Sequence, residues 1–463
     1  MIQYLERMKE SDRIAIIYRE KNITYKQLFH WIAFNQSILE KYQLPTAESI
    51  AFHVANQFEF VIIFLSLAAW GTKILPISSD VPKRDVENLQ ERVNFILLSE
   101  EIIKEAVNEN NCERELISDR FENREKDTYL IHMTSGSSGR IKLCLRSMKA
   151  LDFEGLSYRM TFHLNVPYDL LSLCPLEHSF SFGAVFVNAV VNGCTLHIAD
   201  KFNPRQILKY LGNHRINMMT MIPDMAKLLC SVAMQGDSKC LMRDMKVCLT
   251  ATAKVTEEIY HMFYEKFHVK LLSNYGSTET GGAICRTDEN DYEKLGKAMW
   301  NVELKVCDAN GQKVPAGTEG FLYIKSPGMF SGYIDDEYLL DGEGYVTLND
   351  KVRLDQEGNI TFIGRDSRMA KINGMKVSLE EVEKAISDIG GVKECKVIFC
   401  DNNLTAYLVA DHLSKADCYL ELEKRIHKNA IPRKFVFIEK FQRDQMGKIR
   451  ISSLCQDERG SNE

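Results

Sequence analysis

Residues Ile131–Lys142 read IHMTSGSSGRIK, a run of small and hydroxyl residues that follows the apolar segment TYLIHM and closes with a lysine. In such a loop, successive backbone N–H groups can converge on an anion, while hydroxyl groups and a lysine add donors and charge. A flexible linker is the alternative, but a linker has no reason to start at the end of an apolar strand. Taken alone, the stretch favours a phosphate-binding loop only slightly over a linker.

The common nucleotide signatures do not fit this loop. A Walker loop needs Gly-Lys-Ser/Thr after four intervening residues, whereas Ile141 and Leu143 flank the lysine here. The dinucleotide fingerprint Gly-x-Gly-x-x-Gly is also not matched. If the loop binds phosphate, it does so in a different structural context.

The segments on either side of the loop alternate between strand and helix patterns. An amphipathic helix is predicted to begin at a capping box formed by Thr24 and Gln27. The apolar run Phe60–Trp70 predicts a buried helix, and the predicted strands before and after these helices are RIAIIYR, SIAFHV and TKILPIS. Such alternation predicts parallel sheets covered by helices.

The pattern changes after about residue 295, where short strands and turns follow one another. From Arg365 onward a separate order begins: a hairpin, the helix LEEVEKAISDI, two strands, a helix near 416–429 and a last strand. The predicted class is α/β. Residues 1–364 form a large N-terminal domain of doubly wound sheets plus a small barrel-like part, and residues 365–463 form a small mobile α+β C-terminal domain.

Composition narrows the function. The 463 residues carry a net charge of −6, whereas a nucleic-acid-binding face usually shows a basic excess. Thirteen cysteines without a Cys-x-x-Cys pair predict buried free thiols in a reducing cytosol, not a zinc site or a disulfide framework. No apolar run is long enough to span a bilayer. The expectation is a cytoplasmic protein with no membrane span.

A second chemical segment is SNYGSTETGG, residues Ser273–Gly282. Tyr275 could stack on a purine, Thr278 could donate to a phosphate and Glu279 could hold Mg²⁺ through oxygen. A polar turn is the alternative interpretation of this segment.

Three further charged residues are candidates. Asp350 and Arg365 would suit ribose hydroxyls, and Lys448 follows Gly447 as though presented on an exposed turn. Each residue taken singly is more often a solvated surface charge. Their weight comes from occurring together with the two preceding segments.

In this order, the segments resemble the adenylate-forming superfamily of acyl-CoA and aryl-CoA synthetases, nonribosomal adenylation domains and luciferases, the AMP-dependent synthetases and ligases. TSGSSGRIK is similar to the phosphate loop of that superfamily, with Ile141 in place of Pro, and NYGSTE resembles its Tyr-Gly-x-Thr-Glu motif. GRDSRMAKINGMKVSLEEVE and GKIR resemble the inter-domain and catalytic-lysine motifs. GYVTLND matches more loosely, since Leu348 and Asn349 stand where Thr and Gly are usual.

The resemblance implies that ATP, Mg²⁺ and either CoA or phosphopantetheine take part. Lys448 would bridge the attacking carboxylate and the α-phosphate, Glu279 would hold Mg²⁺, and Thr278 would contact the α-phosphate. Asp350 and Arg365 would fix the ribose. The phosphate loop would comprise Thr134, Ser135, Gly136, Ser137, Ser138, Gly139 and Lys142. The adenine site would comprise Ala251, Thr252, Ala253, Asn274 and Tyr275, with Asn274 near the amino group. Gly276 and Ser277 are further cofactor-binding candidates.

The resemblance also implies two features of the mobile part. Gly374 would face the thiol tunnel after the small domain rotates; a plain turn glycine is the alternative. Ser367 occupies the hinge position, where Asp or Lys is customary.

The acid side is less specific. Amino-acid-activating members carry an Asp at the position that falls near Phe180, so an α-amino acid is disfavoured. PLEHSFSFG instead resembles a segment of acyl-CoA and aryl-CoA ligases, which would place His178 at the substrate carboxylate; a core histidine is the rival interpretation. Gly281, Gly282 and Ala283 suggest a pocket with room at its floor for an aryl ring or a medium chain.

The leading hypothesis is therefore an enzyme that activates an aryl or fatty/acyl acid with ATP and passes it to the thiol of CoA. A stand-alone enzyme that loads the phosphopantetheine of a separate carrier protein is the nearest alternative. A luciferase-type oxidoreductase and a non-catalytic acid-binding protein are more distant ones, and the joint presence of Lys448, Glu279, Asp350 and Arg365 speaks against the latter.

Overall fold

The computed structural model describes residues 1–79, 81, 83–113, 121–135, 141–199, 201–233, 238–253, 255–287, 292–334, 340–365, 369–372, 375–400, 403–451 and 454. The helices are α1 (Ile2–Arg7), α2 (Tyr25–Lys41), α3 (Gln57–Trp70), α4 (Lys83–Arg92), α5 (Glu100–Ala106), α6 (Met148–Thr161), α7 (Ser179–Ser181), α8 (Asn188–Asn192), α9 (Pro204–Asn213), α10 (Pro223–Val232), α11 (Ser238–Leu241), α12 (Glu257–Phe267), α13 (Leu379–Ser387) and α14 (Lys415–Glu423). A π-helix, Phe182–Val187, joins α7 to α8.

The strands of the first three hundred or so residues are β1 (Ile14–Tyr18), β2 (Lys21–Thr24), β3 (Ser49–Val54), β4 (Lys73–Ser78), β5 (Ile96–Leu97), β6 (Tyr129–Ser135), β7 (Ile141–Ser147), β8 (Asp169–Ser172), β9 (Thr195–Ile198), β10 (Met218–Met221), β11 (Val247–Thr250), β12 (Leu271–Ser277), β13 (Gly281–Cys285) and β14 (Lys294–Ala298). The remaining strands are β15 (Glu303–Cys307), β16 (Glu319–Lys325), β17 (Gly332–Tyr333), β18 (Val346–Leu354), β19 (Ile360–Arg365), β20 (Met369–Ile372), β21 (Met375–Ser378), β22 (Val392–Cys400), β23 (Asn403–Ala410) and β24 (Lys434–Phe437).

The larger sheet combines the two patterns that the sequence predicts. Its order is β15-β16-β18-β19-β14-β13-β12-β11-β10-β8-β9-β1-β2. Strands β12, β11, β10, β8, β9 and β1 run parallel, as expected from alternating strands and helices. At the other end, β13 to β16, β18 and β19 pair antiparallel, and this is the part predicted to be barrel-like. The α/β class is confirmed.

The second sheet has the order β17-β7-β6-β4-β3-β5. Helix α3 is buried along its whole apolar run, as predicted, and belongs to the same core as α2 and strands of both sheets. Local signals that were readable in sequence are present here. Thr24 and Gln27 form the expected capping box at the start of α2, and Asn56 caps α3.

The chain beyond Arg365 has a core of its own, built from α13, α14 and the sheet β22-β23-β24. The helix predicted near 416–429 ends at Glu423 and is followed by a turn and a 3₁₀-helix at Lys428–Ala430. The domain boundary at 364/365 stays a prediction.

Two other expectations concern the chain as a whole. In the part of the chain that the structure describes, every helix is too short or too polar to cross a bilayer. Most of the described cysteines are buried as free thiols. Burial raises the pKa of the Cys285 thiol to about 12 and that of Cys194 to about 11, so these thiols stay protonated at neutral pH.

Candidate active site

The segment SNYGSTETGG forms β12, a tight turn and β13. The Ser277 hydroxyl accepts hydrogen bonds from the backbone N–H groups of Glu279 and Thr280, each 3.2 Å long, and Thr280 Oγ1 accepts one from the Ser277 N–H at 3.0 Å. A Cβ at Gly276 would overlap the Gly281 carbonyl, so the crossing requires glycine there. The turn therefore holds Glu279 in a fixed position.

Glu279 is 9% exposed and lies beside a tyrosine that sequence analysis missed. The Tyr333 hydroxyl donates to Glu279 Oε1 at 2.6 Å, and Lys142 Nζ lies 4.6 Å from the centroid of the Tyr333 ring. Strand β17 places Tyr333 opposite Cys144 on β7. A lone Tyr in the segment SGYID gives no sequence signal for this contact, because the pairing joins strands far apart in the chain.

The predicted phosphate loop connects two strands of a hairpin. Thr134 on β6 lies directly opposite Lys142 on β7, so the two ends of the loop lie side by side. Gly136, Ser137, Ser138 and Gly139 lie outside the described residues, as do Ser367 and Gly374. Strand β6 continues through Ser135. The placement of the loop at the end of a strand agrees with the expectation.

Asp350 and Arg365 form the second part of the site. They lie directly opposite each other on β18 and β19, and Arg365 Nη2 donates to Asp350 Oδ2 at 2.8 Å while Nε donates to Oδ1. The Tyr275 hydroxyl donates to the same carboxylate, which is fully buried. Burial first and Asp350 second raise the pKa of Tyr275 well above its usual value, and the Asp350 hydrogen bond raises the pKa of Arg365.

Asn274 does not share a face with Tyr275, because neighbouring side chains of a strand point to opposite sides. Its Oδ1 accepts from the Tyr158 hydroxyl at 3.0 Å, and its Nδ2 donates to Cys285 Sγ at 2.9 Å. The expectation that Asn274 contacts the adenine amino group is therefore not supported by its position. The alternation of side chains along β12 would have predicted from the sequence that Asn274 and Tyr275 point to opposite faces of the strand.

The adenine segment and the aspartate motif both contain backbone in the left-handed region. Thr252, between Ala251 and Ala253, has φ +75°, and Asn349, next to Asp350, has φ +59°. Asn tolerates this region, which explains why it can stand where the superfamily has Gly. A β-branched Thr does not, so Thr252 stores strain in the predicted adenine site.

Lys448 lies on a turn near the C-terminus that hydrogen bonds to the Asp444 side chain hold in place. Asp444 Oδ1 accepts from the N–H groups of Met446 and Lys448 at 2.8 and 2.9 Å, and Gly447 has φ +74°. The turn touches the N-terminal part of the chain, since Gln445 Nε2 donates to Ser79 Oγ at 3.0 Å. This arrangement matches the predicted exposed turn.

The surroundings of Lys448 change its pKa. Loss of hydration lowers the pKa of the ammonium, and the positive charge of Arg365 lowers it further. The carboxylates of Asp444 and Glu279 act in the opposite direction. The charges of Arg365 and Glu279 therefore both act on Lys448.

Thr278 and His178 link this charged site to the acid side. Thr278 Oγ1 donates to Ser179 Oγ at 3.3 Å, and His178 caps the short helix α7 by accepting from the Phe180 N–H at its Nδ1, 3.4 Å away. Phe180, which stands where amino-acid-activating relatives carry Asp, is buried. Thr278, predicted to contact the α-phosphate, thus contacts Ser179, and His178, predicted to contact the acid, contacts the next residue, Phe180.

The space beside the glycines predicted to leave room at the pocket floor is instead filled by side chains from β7 and α6. A Cβ at Gly282 would overlap the Tyr158 hydroxyl, and one at Gly281 would lie 3.0 Å from Arg146 Nη2. Glu154 Oε1 accepts from the Gly282 N–H at 2.8 Å, and Glu154 Oε2 accepts from Arg146 Nη2 at 2.8 Å. The floor is therefore a buried polar cluster, which corrects the expectation of an open apolar one.

One carboxylate with hydroxyl neighbours suits Mg²⁺ only when a ligand supplies the remaining oxygens. The described residues contain no group of three His, Cys, Asp or Glu side chains that could hold a metal. Mg²⁺ is usually bound by one or two carboxylates together with substrate phosphates and water. The Glu279 carboxylate, which accepts from the Tyr333 hydroxyl, fits that mode.

Comparison with known proteins gives the same assignment over most of the chain. The model of the family described as AMP-binding enzyme matches residues 6–334. Zwittermicin A synthase ZmaJ of Bacillus cereus is 23% identical, covering 96% of this chain and 91% of its own length. Tyrocidine synthase 3 of Brevibacillus parabrevis is 23% identical over 96% of this chain, and the chain spans 7% of that relative's length.

Solved structures share the fold over nearly the full length. ATP-bound MatB from Rhodopseudomonas palustris superposes with a TM-score of 0.81 at 19% identity, covering 100% of both chains. o-Succinylbenzoate CoA synthetase (MenE) from Bacillus subtilis, in complex with the acyl-adenylate OSB-AMP, gives 0.81 at 20% identity over 97% of both chains. At these identities the likeness establishes the fold.

Proposed function

Because this chain belongs to the AMP-binding enzyme family, we propose that it activates a carboxylic acid with ATP and transfers the acyl group to the thiol of CoA. The observation that supports the proposal is that the charges of Arg365 and Glu279 both act on Lys448, while Arg365 Nη2 donates to Asp350 Oδ2 at 2.8 Å. An aryl or fatty/acyl acid is favoured over an α-amino acid, since Phe180 offers no carboxylate to an α-ammonium group.

In the first step a carboxylate oxygen attacks the α-phosphorus, the bond to the β-phosphate bridging oxygen breaks, and pyrophosphate leaves. Two anions must approach, so the barrier is lowered mainly by positioning and by fixed positive charge. Lys448 would neutralise both oxygens, while Thr278 donates to the α-phosphate. Lys142 and the phosphate loop would hold the leaving phosphates.

Glu279 would hold Mg²⁺, which supplies charge neutralisation at the phosphates when it is bound. Tyr333 donates to Oε1 of Glu279 and would hold the carboxylate in place for the metal. Tyr275 and the segment Ala251–Ala253 would enclose the adenine. Asp350 already accepts from Arg365 and Tyr275, so ribose hydroxyls would share a carboxylate that these two residues hold in place.

In the second step a thiol attacks the acyl carbonyl of the adenylate, a C–S bond forms, and AMP leaves with the bonding electrons of the C–O bond. Residues 365–463 would rotate about Ser367 to remove Lys448 and bring Gly374 to the thiol. The contact of Gln445 with Ser79 would then be specific to the first step.

The acceptor could also be the phosphopantetheine of a separate carrier protein. The relatives named above include long peptide synthases, whereas the structural neighbours include CoA synthetases. Both acceptors present the same thiol, so the fold does not choose between them. Incubation of enzyme, ATP and acid with free CoA, and then with carrier proteins, separates them by which thiol becomes acylated.

The proposed function is tested by pyrophosphate release over a panel of aryl, fatty and amino acids. Acid-dependent release with ATP and Mg²⁺ is the expected result, with AMP as the second product. Release of ADP and phosphate, or no nucleotide turnover with any acid although ATP binds, would contradict the proposal.

A further inference from the structure

The apolar side chain of Met446 joins the C-terminal part of the chain to the core of the N-terminal part. The other buried apolar residues described beyond Arg365 form two cores of their own, one that includes α13 and α14 and a smaller one with Phe441 and Leu454. Met446, which is 3% exposed, lies instead in the large core that α2, α3 and strands of both large sheets share. Its side chain is therefore shielded from water by the N-terminal part.

The neighbours of Met446 show where this contact lies. Gln445 Nε2 donates to Ser79 Oγ at 3.0 Å, just beyond the end of β4. On the other side, a Cβ at Gly447 would lie 3.1 Å from the Cδ1 atom of Ile222, the N-cap residue of α10. The lysine turn, residues 444–448, thus contacts the N-terminal part through three consecutive residues immediately before its lysine.

This contact lies at the sheet edge where the acid-side segment begins. Ile222 follows β10, which pairs with β8. The Leu173 N–H donates to the Thr220 carbonyl at 2.9 Å near the ends of these two strands. The chain that leaves β8 then leads to His178. The lysine turn therefore packs at the edge of the sheet from which the segment of His178 starts.

Burial of Met446 contributes more to holding the lysine turn in place than the hydrogen bond beside it. The Gln445–Ser79 hydrogen bond joins two exposed residues, for which water is an alternative partner. Burial of a side chain as large as Met is worth more, because the gain grows with the apolar area removed from water. We infer that Met446 is the positioning residue of Lys448: its burial holds the lysine turn in the arrangement that forms the adenylate.

The inference rests on the proposed function, in which residues 365–463 rotate between the two steps. Rotation would take Met446 out of the large core, so its side chain would be buried there only in the first step. A contact shifts an equilibrium only by the difference in its free energy between the two states. Met446 would therefore favour adenylate formation and oppose the change to the thioester-forming arrangement. A purely structural role would support both steps alike.

Three substitutions of Met446 measure this role. Met446→Ala and Met446→Gln remove its apolar surface, the latter at nearly the same side-chain length, whereas Met446→Leu keeps it. The rate of adenylate formation, measured as acid-dependent pyrophosphate release in a single turnover, should fall about tenfold with Ala and Gln and about threefold or less with Leu. Thioester formation from supplied acyl-adenylate should keep its rate or become faster. Equal loss in both half-reactions, or no recovery with Leu, would overturn the inference.

Ile449, on the same stretch of chain, is the matched control. Its side chain packs against the small C-terminal core that contains Phe441 and Leu454. Ile449→Ala should therefore change the two half-reactions alike. A selective loss of adenylate formation in Ile449→Ala would mean that any disturbance near Lys448 has this effect, and it would count against a particular role of Met446.

Oxidation of methionine tests the contact without turnover. Hydrogen peroxide converts exposed methionines to the sulfoxide, whereas burial protects them. In the full chain with ATP and Mg²⁺, Met446 should be oxidised at least about tenfold more slowly than Met160, which is 39% exposed on α6, as followed by peptide mass spectrometry. If no acid supports pyrophosphate release, this protection would still support docking of the lysine turn by Met446 while the proposed function fails. Oxidation of Met446 as fast as that of Met160 would overturn the inference whether or not any acid is activated.

Discussion

The nucleotide side and the acid side of the site lie next to each other but are built differently. On the nucleotide side, Tyr275, Asp350 and Arg365 form one hydrogen-bonded unit, and each belongs to a motif readable in sequence. On the acid side, Arg146, Glu154 and Tyr158 fill the space at two glycines and belong to no motif. The two sides meet where Thr278 contacts Ser179.

The difference follows from what each side has to recognise. ATP is the same for every member of the family, so residues that hold it recur at fixed spacing. The acid differs between members, so we expect its site to be set by individual side chains. Variants of the nucleotide side should therefore affect all acids alike, and variants of the acid side should change the choice among acids.

The largest effect is expected at Lys448. Lys448→Ala should slow adenylate formation on the order of a hundredfold or more, as expected for a preorganised charge in a desolvated site. Given chemically prepared acyl-adenylate and the thiol, the same protein should form thioester at a substantial fraction of the normal rate. Arg should replace Lys448 poorly, since its planar head is not a point charge. Equal loss in both half-reactions would contradict a role confined to the first.

Glu279 should come next. Glu279→Ala should lower Mg²⁺-ATP-dependent turnover roughly tenfold to a hundredfold with every acid, because the carboxylate acts on the metal and not on acid choice. Tyr333→Phe is the matched control: it removes the 2.6 Å hydrogen bond but keeps the carboxylate, so its effect should be smaller. Loss of activity with one class of acid only would mean that Glu279 does not serve the metal.

The pH dependence should separate the half-reactions. Because the pKa of Lys448 is lowered, its side chain loses its charge, as pH rises, before pH reaches the ordinary lysine pKa of 10.5. Above the lowered pKa of Lys448, the rate of adenylate formation should fall up to about tenfold per pH unit. The rate of thioester formation from supplied adenylate should not show this alkaline limb. The limb should be absent in Lys448→Ala. Its persistence in that variant would assign it to another group.

His178 tests the acid side. His178→Ala should raise the KM for the acid about tenfold, the cost of one hydrogen bond to a charged group, while calorimetric ATP binding stays unchanged. His261→Ala, on an exposed surface of α12, is the control for loss of an imidazole. A His178 variant that fails to fold would favour the core-histidine interpretation instead.

Sequence predicted the fold class and the capping box of α2, because hydrophobic periodicity and capping signals are local. It did not reveal Tyr333 beside Glu279, because this contact joins segments far apart in the chain. It did not reveal Arg146 beside Glu154, eight residues away, because β7 has the pattern of an ordinary half-buried strand. Asn274 is a different case. Its motif position was used without the alternation that sends it to the opposite face from Tyr275.

The smallest effect concerns strain on the nucleotide side. Thr252 adopts φ +75°, which costs a β-branched residue about 1–2 kcal/mol, whereas glycine adopts it freely. The greater freedom of glycine in the unfolded chain offsets about 0.5–1 kcal/mol of that gain. Thr252→Gly should therefore raise the free energy of unfolding by about 1 kcal/mol or less, measured by urea denaturation against Thr252→Val, which keeps the strain.

The same variant shows what the strain does. If Thr252 is held in this conformation to position the adenine segment Ala251–Ala253, relief of strain should loosen that segment and raise the KM for ATP several-fold while the ratios among acids stay constant. Asn349→Gly should change stability less, because Asn tolerates φ +59°. A Thr252→Gly protein with unchanged ATP affinity and altered acid preference would place this segment on the acid side and break the division between the two sides.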